Sequence, residues 1–532
     1  MKEIKFFWPN EFKIRKTQES VLNWLEDQPS DTKHFICEMP VGTGKSLIGY
    51  TFAQWKGGNS AFFTPQKILQ KQYENTFGNK IFSIYGKGNY ICHSKSTSCE
   101  VGGILKPSCD NCPAKTAMET AFTSKHIVVN YALGFLLSMI QSEKNLMSRN
   151  TFVFDECHSI EKILTDLNTL IISEFKCNQL RIPFKKMESD YDIFNWTTSE
   201  YKDGILNHLK TLESQVSEIE FSLSNHKSLT KDNISIMKKY YDLVDHTKKL
   251  DKITIINKQD IFEKFVLVKE EKLYKYKELF GKETFKRYIE PNAKNFLHMS
   301  ATILNKEQYC NDIGIDPNKT AFVSLPSEFR IENRAIFYIP KVKMTYGWDK
   351  ENNKIPRQNA LDTIVDLCND NHKNDNGIIH TGSFAIAKWL IKELNNMVPH
   401  RIMHHAPDEE GNAENRDLII SEFTEKSDLP MLLISPSITE GLDLYDERAR
   451  FSITMKVPFP NISDAWVKRR MNISNEWYKR QALIQIIQST GRIVRNKDDW
   501  GVNYIIDESF INLYRTMNEF FPEWWKESLV TF

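Results

Sequence analysis

The chain has 532 residues, of which 41% are hydrophobic and 26% are charged, and its formal net charge is +1. A chain of this length exceeds what a single hydrophobic core usually organises, so we expect at least two domains. The near-zero net charge excludes nucleic-acid binding through a basic field over the whole surface, so any such binding must use a local groove.

The composition along the chain also argues against a membrane or secreted protein. The longest apolar run, residues 131–140, is far shorter than the roughly 20 residues that span a bilayer, and the first eleven residues do not resemble a secretory signal. Of the nine cysteines, four are clustered and the others stand singly, which argues against a disulfide framework. The sequence therefore predicts a cytoplasmic protein with one thiolate ligand site and no membrane partner.

In chain order, the first elements alternate between short apolar strands and helices. The strand HFICEM (34–39) leads into a glycine-containing loop and a helix, and the strand SAFFT (60–64) precedes another helical stretch. A segment rich in Gly, Ser, Lys and Cys (83–118) interrupts this alternation, which resumes at HIVVN (126–130) and TFVFDE (151–156). Strands that alternate with helices predict a parallel sheet covered by helices.

A second insertion and a second alternating series complete the predicted organisation. Residues 162–292 are charged with spaced apolar positions, which indicates a mostly helical insertion with solvated faces. The strand-like segments AIFYIP, GIIHTG, RIMHH, MLLISP, FSITMKVPF and VNYIID then follow. We predict an α/β protein with a first parallel-sheet domain (1–82, 119–161 and 293–325), two insertions in it (83–118 and 162–292), and a second parallel-sheet domain (326–532).

The loop Pro40-Val41-Gly42-Thr43-Gly44-Lys45-Ser46 is typical of a phosphate-binding loop because it follows a strand and opens a helix. Glycines let backbone N–H groups approach and surround phosphates. Lys45 would neutralise the β- and γ-phosphates of ATP, and Ser46 would hold Mg²⁺. The position of the usual first glycine is Met39 here, a departure that we regard as minor.

The strand TFVFDE ends in two carboxylates, Asp155 and Glu156, at the sheet edge where α/β proteins bind ligands. Asp155 is placed to hold Mg²⁺, and Glu156 to polarise the attacking water. An exposed acidic turn is the alternative when the motif is taken alone.

Near the C-terminus, Gln485, Gln488, Arg492 and Arg495 fall at i, i+3, i+7 and i+10, which places them on one face of a single helix. Two arginines and two amides on one stripe suit a triphosphate held across a domain cleft. A solvated basic helix face is the alternative. Gly491 favours the functional interpretation, since glycine costs a helix about 1 kcal/mol relative to alanine.

Taken in order, these motifs resemble those of the DinG/XPD-type helicases of superfamily two. The resemblance runs from residue 15 to about residue 508. It rests on the segments MPVGTGKS, FFTPQKILQKQY, YGKGNYIC, VVNYALGF, FDECH, HMSATI, SEFR, TGSF, SPSITEGLDL, VPFPNISD and QSTGRIVRN. It implies two RecA-like motor domains, of which the first carries an iron–sulfur insertion and a helical arch-like insertion.

The resemblance also implies an activity and roles for individual residues. The implied activity is ATP-dependent translocation on single-stranded DNA and unwinding of forked DNA, with 5′→3′ polarity. Arg15 and Gln18 would read adenine, and Ser300 and Thr302 would couple hydrolysis to domain movement. The implied catalytic residues are Lys45, Asp155, Glu156, Gln488, Arg492 and Arg495. One of the two arginines would act as an arginine finger that reaches the ATP from the second domain. The remaining implied nucleotide-site residues are Gly42, Thr43, Gly44, Ser46, Glu440, Gly441 and Asp443. His158 belongs to the segment Asp155-Glu156-Cys157-His158, which we call the acidic box, and it would interact with the part of the second domain that carries Gln488.

Four cysteines, Cys92, Cys99, Cys109 and Cys112, lie within the first insertion. From their spacing alone, an iron–sulfur cluster, a zinc site and unrelated thiols all stay open, because only Cys109 and Cys112 form a CxxC pair. The resemblance implies a [4Fe–4S] cluster with a structural role in strand separation.

Contacts to a DNA strand are predicted at Thr64, Gln66, Ser383 and Thr439, where hydroxyls and amides could hold the backbone. The basic run 468–470 is interpreted as a solvated surface. Two other functions stay open: an ATP-driven translocase that does not unwind, and an ATP-switched nucleic-acid-binding module. Protein partners are not predicted.

Overall fold

The structure, a computed structural model, describes residues 2–93, 97–99, 112–140, 145–224, 230–344, 347–406, 416–425, 427–436, 444 and 446–531. Its strands, in chain order, are β1 His34–Glu38, β2 Ser60–Thr64, β3 Phe82–Ile84, β4 Ile91–Cys92, β5 Thr97–Ser98, β6 His126–Asn130, β7 Thr151–Asp155, β8 Leu170–Ser173, β9 Phe265–Glu270, β10 Leu273–Glu278, β11 Asn295–Ser300, β12 Thr320–Ser324, β13 Ile336–Val342, β14 Gly377–His380, β15 Arg401–His404, β16 Met431–Ser435, β17 Phe451–Thr454, β18 Val502–Asp507 and β19 Leu529–Thr531.

Helices connect these strands and cover the sheets. In chain order they are α1 Lys16–Glu26, α2 Lys45–Lys56, α3 Lys67–Phe77, α4 Pro113–Thr123, α5 Tyr131–Ser138, α6 Ile160–Leu167, α7 Glu174–Gln179, α8 Asp190–Trp196, α9 Lys202–Ser224, α10 Lys231–Thr254, α11 Ile261–Lys264, α12 Lys282–Thr284, α13 Lys306–Ile313, α14 Lys354–Asp366, α15 Phe384–Leu394, α16 Arg416–Phe423, α17 Ala465–Ile473, α18 Asn475–Thr490, α19 Ser509–Thr516 and α20 Glu523–Lys526.

Two seven-stranded sheets organise the molecule. The first has the order β12-β1-β11-β7-β2-β6-β3 and the second the order β15-β16-β14-β17-β18-β13-β19. All pairings within both sheets are parallel. The prediction of two parallel-sheet α/β domains is therefore confirmed.

The strands of the first sheet are apolar without alternation because helices cover both faces of the sheet. In β1, β2 and β7 every residue is buried. Their parallel register brings Glu38 opposite Ser300, and Met299 opposite Asp155. The carboxyl ends of these strands therefore meet at one sheet edge, which is where a ligand site forms in such folds.

Residues 162–292 are less purely helical than the sequence predicts. Besides the long helices α9 and α10, they form a three-stranded antiparallel sheet of order β8-β10-β9. Alternating burial in β10 explains why its Lys- and Tyr-containing sequence is not visibly apolar. Among the described residues, no helix combines the length and the apolar character needed to cross a bilayer.

Candidate nucleotide site

The glycine-containing loop between β1 and α2 adopts the backbone shape that phosphate binding requires. Gly42 and Gly44 have φ angles of 80° and 78°, a left-handed conformation that disfavours residues with a Cβ. This turn aims the first N–H groups of α2 into the space in front of β1, where the positive end of the helix dipole favours an anion.

The acidic box lies directly opposite this loop. Lys45 Nζ is 3.1 Å from Glu156 Oε1. Burial and the neighbouring Glu156 raise the pKa of Asp155 to about 6, and Lys45 opposes that rise. Burial alone would also raise the pKa of Glu156, but Lys45, His158 and Arg495 together lower it below its ordinary value. Glu156 therefore stays ionised to a lower pH than Asp155, which suits a group that orients water.

A chain of hydroxyl contacts extends from the acidic box to the second domain. Ser300 Oγ donates to Glu156 Oε2 at 3.3 Å and lies 2.8 Å from His158 Nδ1. Ser300 Oγ is 3.3 Å from Thr302 Oγ1, and Gln488 Nε2 donates to that Thr302 hydroxyl at 2.9 Å. Residues of the first sheet are thereby connected to α18 of the second domain through side-chain contacts.

The prediction of one continuous helix through Gln485–Arg495 is wrong. Helix α18 ends at Thr490, with Gly491 at its C-terminal cap, and Arg492 and Arg495 follow in a turn. Gly491 has φ −89° and ψ 10° at the end of the helix, and a Cβ at this position would lie 3.3 Å from Val41 Cγ2. Ile486, Ile493 and Val494 are buried and do not line the cavity described next.

The turn nevertheless brings both arginines to the nucleotide loop. A cavity of about 210 Å³ lies between the two sheets. Its lining includes ten of the predicted site residues, namely Gly42, Gly44, Lys45, Ser46, Gln66, Asp155, Glu156, Gln488, Arg492 and Arg495. One space thus joins a phosphate-binding loop, two carboxylates and two arginines from the opposite domain, which suits a nucleoside triphosphate.

Two family models match the chain. The helicase C-terminal domain matches residues 364–528, and the model named type III restriction enzyme, res subunit, matches residues 11–182. The Fanconi anemia group J protein homolog of Gallus gallus is 38% identical over 87 residues, which cover 14% of this chain and 7% of that protein. An XPD helicase structure superposes with a TM-score of 0.63 and 15% identity, covering 98% of this chain and 100% of the other.

The chain therefore contains a helicase C-terminal domain over residues 364–528, and its fold is that of the XPD helicase structures. Another match of this helicase type is the regulator of telomere elongation helicase 1 homolog of Caenorhabditis elegans, 27% identical over 108 residues, or 17% of this chain and 11% of the relative. The matched stretches thus span only about a tenth of these curated relatives. The S. tokodaii Xpd4 structure shares the fold, with a TM-score of 0.57, 13% identity and coverage of 97% and 100%.

The segment that in DinG/XPD-type helicases would read adenine contacts the phosphate loop directly. Arg15 Nη2 donates to Gly42 O and Gln18 Nε2 donates to Thr43 O, both at 2.8 Å. Glu328, in the segment between the two sheets, accepts from Thr17 N at 2.9 Å and lies 3.4 Å from Arg15. The predicted residues Arg15, Gln18 and Thr43 therefore lie together behind the phosphate loop. None of the three lines the cavity, and Thr43 is buried.

Sequence reasoning missed two buried groups that hold the site. Tyr73 OH donates to Asp155 Oδ2 at 3.1 Å. The Glu38 carboxylate accepts from Ile303 N at 2.9 Å, from Leu304 N at 2.7 Å and from Ser324 Oγ at 2.7 Å, which fixes the loop after Thr302. An acidic residue at the end of an otherwise apolar strand was the available signal for Glu38.

Three of the four clustered cysteines come together in the described residues. Cys92 and Cys99 are buried in one apolar cluster that Cys112 contacts, and the Sγ atoms of Cys99 and Cys112 are 4.0 Å apart. Two thiolates on one tetrahedral metal ion with bonds of about 2.3 Å would be separated by about 3.8 Å, so this spacing fits two ligands of a single ion. Cys109 lies outside the described residues, and among the described residues no group of three or more His, Cys, Asp or Glu side chains is arranged to hold a metal ion. The donor set suits zinc or an iron–sulfur cluster alike.

The candidate DNA contacts differ in accessibility. Gln66 lines the nucleotide cavity, whereas Thr64 is buried with its Oγ1 donating to Gln66 O. Ser383 caps α15 by accepting from Ile386 N. Four predicted site residues, Thr439, Glu440, Gly441 and Asp443, lie outside the described residues.

The interpretation of residues 468–470 as a solvated basic run is wrong for one member. Lys468 and Arg469 are exposed, but Arg470 is only 2% exposed. Helix α17 turns Arg470 inward, where carboxylates of the first domain neutralise it. A single basic run therefore contains two solvated side chains and one buried ion pair.

Proposed function

We propose that this protein is an ATP-dependent DNA helicase that translocates on single-stranded DNA with 5′→3′ polarity. The observation that carries the proposal is the cavity in which Lys45, Asp155 and Glu156 of the first domain face Gln488, Arg492 and Arg495 of the second. A triphosphate bound there would contact both domains, so its hydrolysis would change how they are held together.

In the proposed hydrolytic step, side chains of both domains act on the triphosphate. The α2 N-terminus and Lys45 bind the phosphates, and Glu156 orients a water in line with the γ-phosphate. Arg492 and Arg495 stabilise charge that develops on the transferring phosphoryl group. Ser46 and Asp155 both line the cavity and offer the oxygen ligands that Mg²⁺ prefers, and this ion neutralises phosphate charge when bound.

The hydroxyl chain supports a role in transmission. Ser300 donates to Glu156, and Thr302 accepts from Gln488 of α18. Loss of the γ-phosphate beside Glu156 would therefore change the contacts that hold α18. Thr64, Gln66, Ser383 and Thr439 are proposed to hold the DNA backbone. Glu440, Gly441 and Asp443 are proposed to belong to a loop of the second domain that couples the nucleotide site to domain movement.

The thiolate site is proposed to hold a [4Fe–4S] cluster on Cys92, Cys99, Cys109 and Cys112. Helix α4, which starts directly after Cys112, packs against β3, the edge strand of the first sheet. A metal centre there would fold a segment with little apolar core of its own and fix it at the sheet edge. One cluster of four cysteines and five single ones is not a disulfide framework, which supports a reducing compartment such as the cytoplasm.

The decisive test is the Glu156→Gln variant, assayed for ATP hydrolysis and for unwinding of DNA duplexes. Because glutamine keeps the shape of the side chain but cannot accept a proton, we expect ATP turnover to fall by about 100-fold or more while ATP still binds. Wild-type protein should unwind a duplex with a 5′ single-stranded tail and leave one with a 3′ tail intact.

Glu220→Gln is the matched control, since Glu220 is an exposed glutamate on α9. Undiminished hydrolysis by Glu156→Gln would reject the catalytic assignment. DNA-stimulated hydrolysis without unwinding of any fork would instead favour a translocase.

A further inference from the structure

A buried ionic cluster lies beside the nucleotide site but is not part of it. We call it the Arg470 junction, and it consists of Glu161, Asp312, Arg470, Trp477 and Arg480. Arg470 Nη2 is 2.6 Å from Glu161 Oε1 and 3.3 Å from Asp312 Oδ1. Arg480 Nη2 donates to the second oxygen of Asp312, and Trp477 Nε1 donates to Glu161 Oε2 at 3.3 Å.

The junction joins both motor domains. Glu161 lies on α6, which directly follows the acidic box, and Asp312 on α13, which lies between the first-sheet strands β11 and β12. Arg470 and Arg480 lie on α17 and α18, between the second-sheet strands β17 and β18. Two positive and two negative groups thus meet across the domain boundary with the arginines 2% and 3% exposed. Such a balanced set is costly to break because one lost partner leaves a buried charge uncompensated.

The insertion of residues 162–292 enters the same junction. Arg470 Nη1 donates to Leu279 O at 3.0 Å, and its guanidinium lies 4.5 Å from the centre of the Phe280 ring. Trp466 Nε1 donates to Glu278 O at 2.7 Å, and Trp466 packs against Val268 of β9. The insertion is therefore covalently part of the first domain but docked on α17 of the second.

The junction also borders the catalytic residues. A small cavity of about 20 Å³ is lined by Glu161, Asp312 and Arg480 together with His158 and Thr302. Helix α18 carries both Arg480 of the junction and Gln488, which donates a hydrogen bond to Thr302. These two residues are about 12 Å apart along the helix axis. Burial and the carboxylate of Asp312 raise the pKa of Glu161 to about 7, against the opposing effect of Arg470 and Arg480.

We propose that Arg470 and Arg480 are positioning residues that couple closure of the nucleotide cleft to movement of the insertion. Any rotation of α18 toward bound ATP must act on the junction, and through Leu279 and Trp466 it must carry the insertion with it. An ion pair that only stabilised the domain boundary would not need hydrogen bonds to the carbonyl groups of Leu279 and Glu278 in the insertion. It would also not need to line the same small cavity as His158 and Thr302. This proposal rests on the proposed binding of ATP in the cleft, and its unwinding readout rests in addition on the proposed helicase activity.

The test is the Arg470→Met variant, which keeps the apolar stem and removes the charge. Hydrogen–deuterium exchange of β9 and β10 is measured with and without a non-hydrolysable ATP analogue and Mg²⁺. Wild-type protein should show an analogue-dependent change in these strands, which the variant should lose although it still binds the analogue. On forked DNA, base pairs unwound per ATP should fall by about 5-fold or more, beyond any fall in ATPase activity.

Arg469→Met is the control, since Arg469 is the exposed neighbour of Arg470, and it should behave as wild type. If Arg470→Met does not fold, the pair Asp312→Asn and Arg480→Gln replaces it, because the double variant restores the balance of charge. An analogue-dependent change that persists in the folded variants would overturn the proposal. Loss of that change together with a wild-type protein that never unwinds DNA would leave the junction standing and reject only the helicase activity.

Discussion

At the scale of single residues, His126 gives the first motor domain a defined sensitivity to acid. Its Nε2 accepts from Gln54 Nε2 at 2.9 Å and its Nδ1 lies 2.7 Å from Ser60 Oγ, an arrangement that requires the neutral ring. Burial, with Lys125 and Arg149, lowers the pKa of His126 to about 4. The folded state therefore resists protonation in a range where the unfolded chain, with a histidine pKa of about 6.5, takes up a proton.

The stability contributed by neutral His126 is complete above about pH 6.5 and is lost as the pH falls toward 4. Between pH 7 and pH 5 we expect this residue to cost the wild type about 2 kcal/mol in the free energy of unfolding. His126→Gln, which cannot be protonated, should lose correspondingly less over the same interval. The check is the thermal midpoint of both proteins at the two pH values, and equal losses would contradict the role of His126.

Residue identity alone could not reveal the Arg470 junction. The phosphate loop and the two carboxylates at the end of β7 are recognisable in the sequence because the residues of each group act together with their sequence neighbours. Trp477 and Glu161 instead meet across 316 positions, and Arg470 sits beside two exposed basic residues in the sequence. Its burial depends on which face of α17 meets the insertion, which is a tertiary property.

At the scale of elements, the phosphate loop is tightly constrained by the opposite domain. A Cβ on Gly42 would lie 2.5 Å from Phe329 Cζ and 2.6 Å from the carbonyl oxygen of Arg495, at a φ of +80°. Backbone strain in the left-handed region costs about 1–2 kcal/mol, and the Arg495 carbonyl, unlike a flexible side-chain end, cannot easily move. We expect Gly42→Ala to push the cleft open and to weaken MgATP binding by about 10-fold or more, measured by titration calorimetry.

Gly57→Ala is the control for backbone strain, because Gly57 also has a positive φ, +70°, but no atom lies within 4 Å of its Cβ position. This variant should lose stability and keep its affinity for ATP. Equal affinities in the two variants would show that contact with Arg495 does not shape the loop.

Elements were predictable where a local pattern determines them. The buried strands of both sheets are short apolar runs ended by turn residues, so their positions follow from sequence. The end of α18 at Thr490 did not follow, because Gln485, Gln488, Arg492 and Arg495 satisfy helical spacing equally well without a continuous helix. The antiparallel sheet of the insertion was missed because β10 alternates Tyr with Lys, a pattern hidden among charged helices.

At the scale of the whole molecule, the thiolate site and the nucleotide cleft are built on different parts of the first sheet. The cysteine segment is anchored through α4 at edge strand β3, whereas the first-domain wall of the cleft forms at the ends of β1, β7 and β2, which are not edge strands. Loss of the metal centre should therefore disturb strand separation without dismantling the ATP site.

The corresponding variant is Cys99→Ser, with Cys368→Ser as the control because Cys368 is a buried thiol in the core of the second domain. Serine is a poor replacement for a thiolate ligand, so Cys99→Ser should lose bound metal and unwinding and retain most ATP hydrolysis. Iron, zinc and acid-labile sulfide are measured on anaerobically purified protein together with its visible spectrum. Iron with sulfide supports a cluster, zinc alone identifies a tetrahedral site, and wild-type protein that contains neither metal contradicts a metal centre at these cysteines. If hydrolysis fell as far as unwinding, the two sites would be one cooperative unit, contrary to their placement on the sheet.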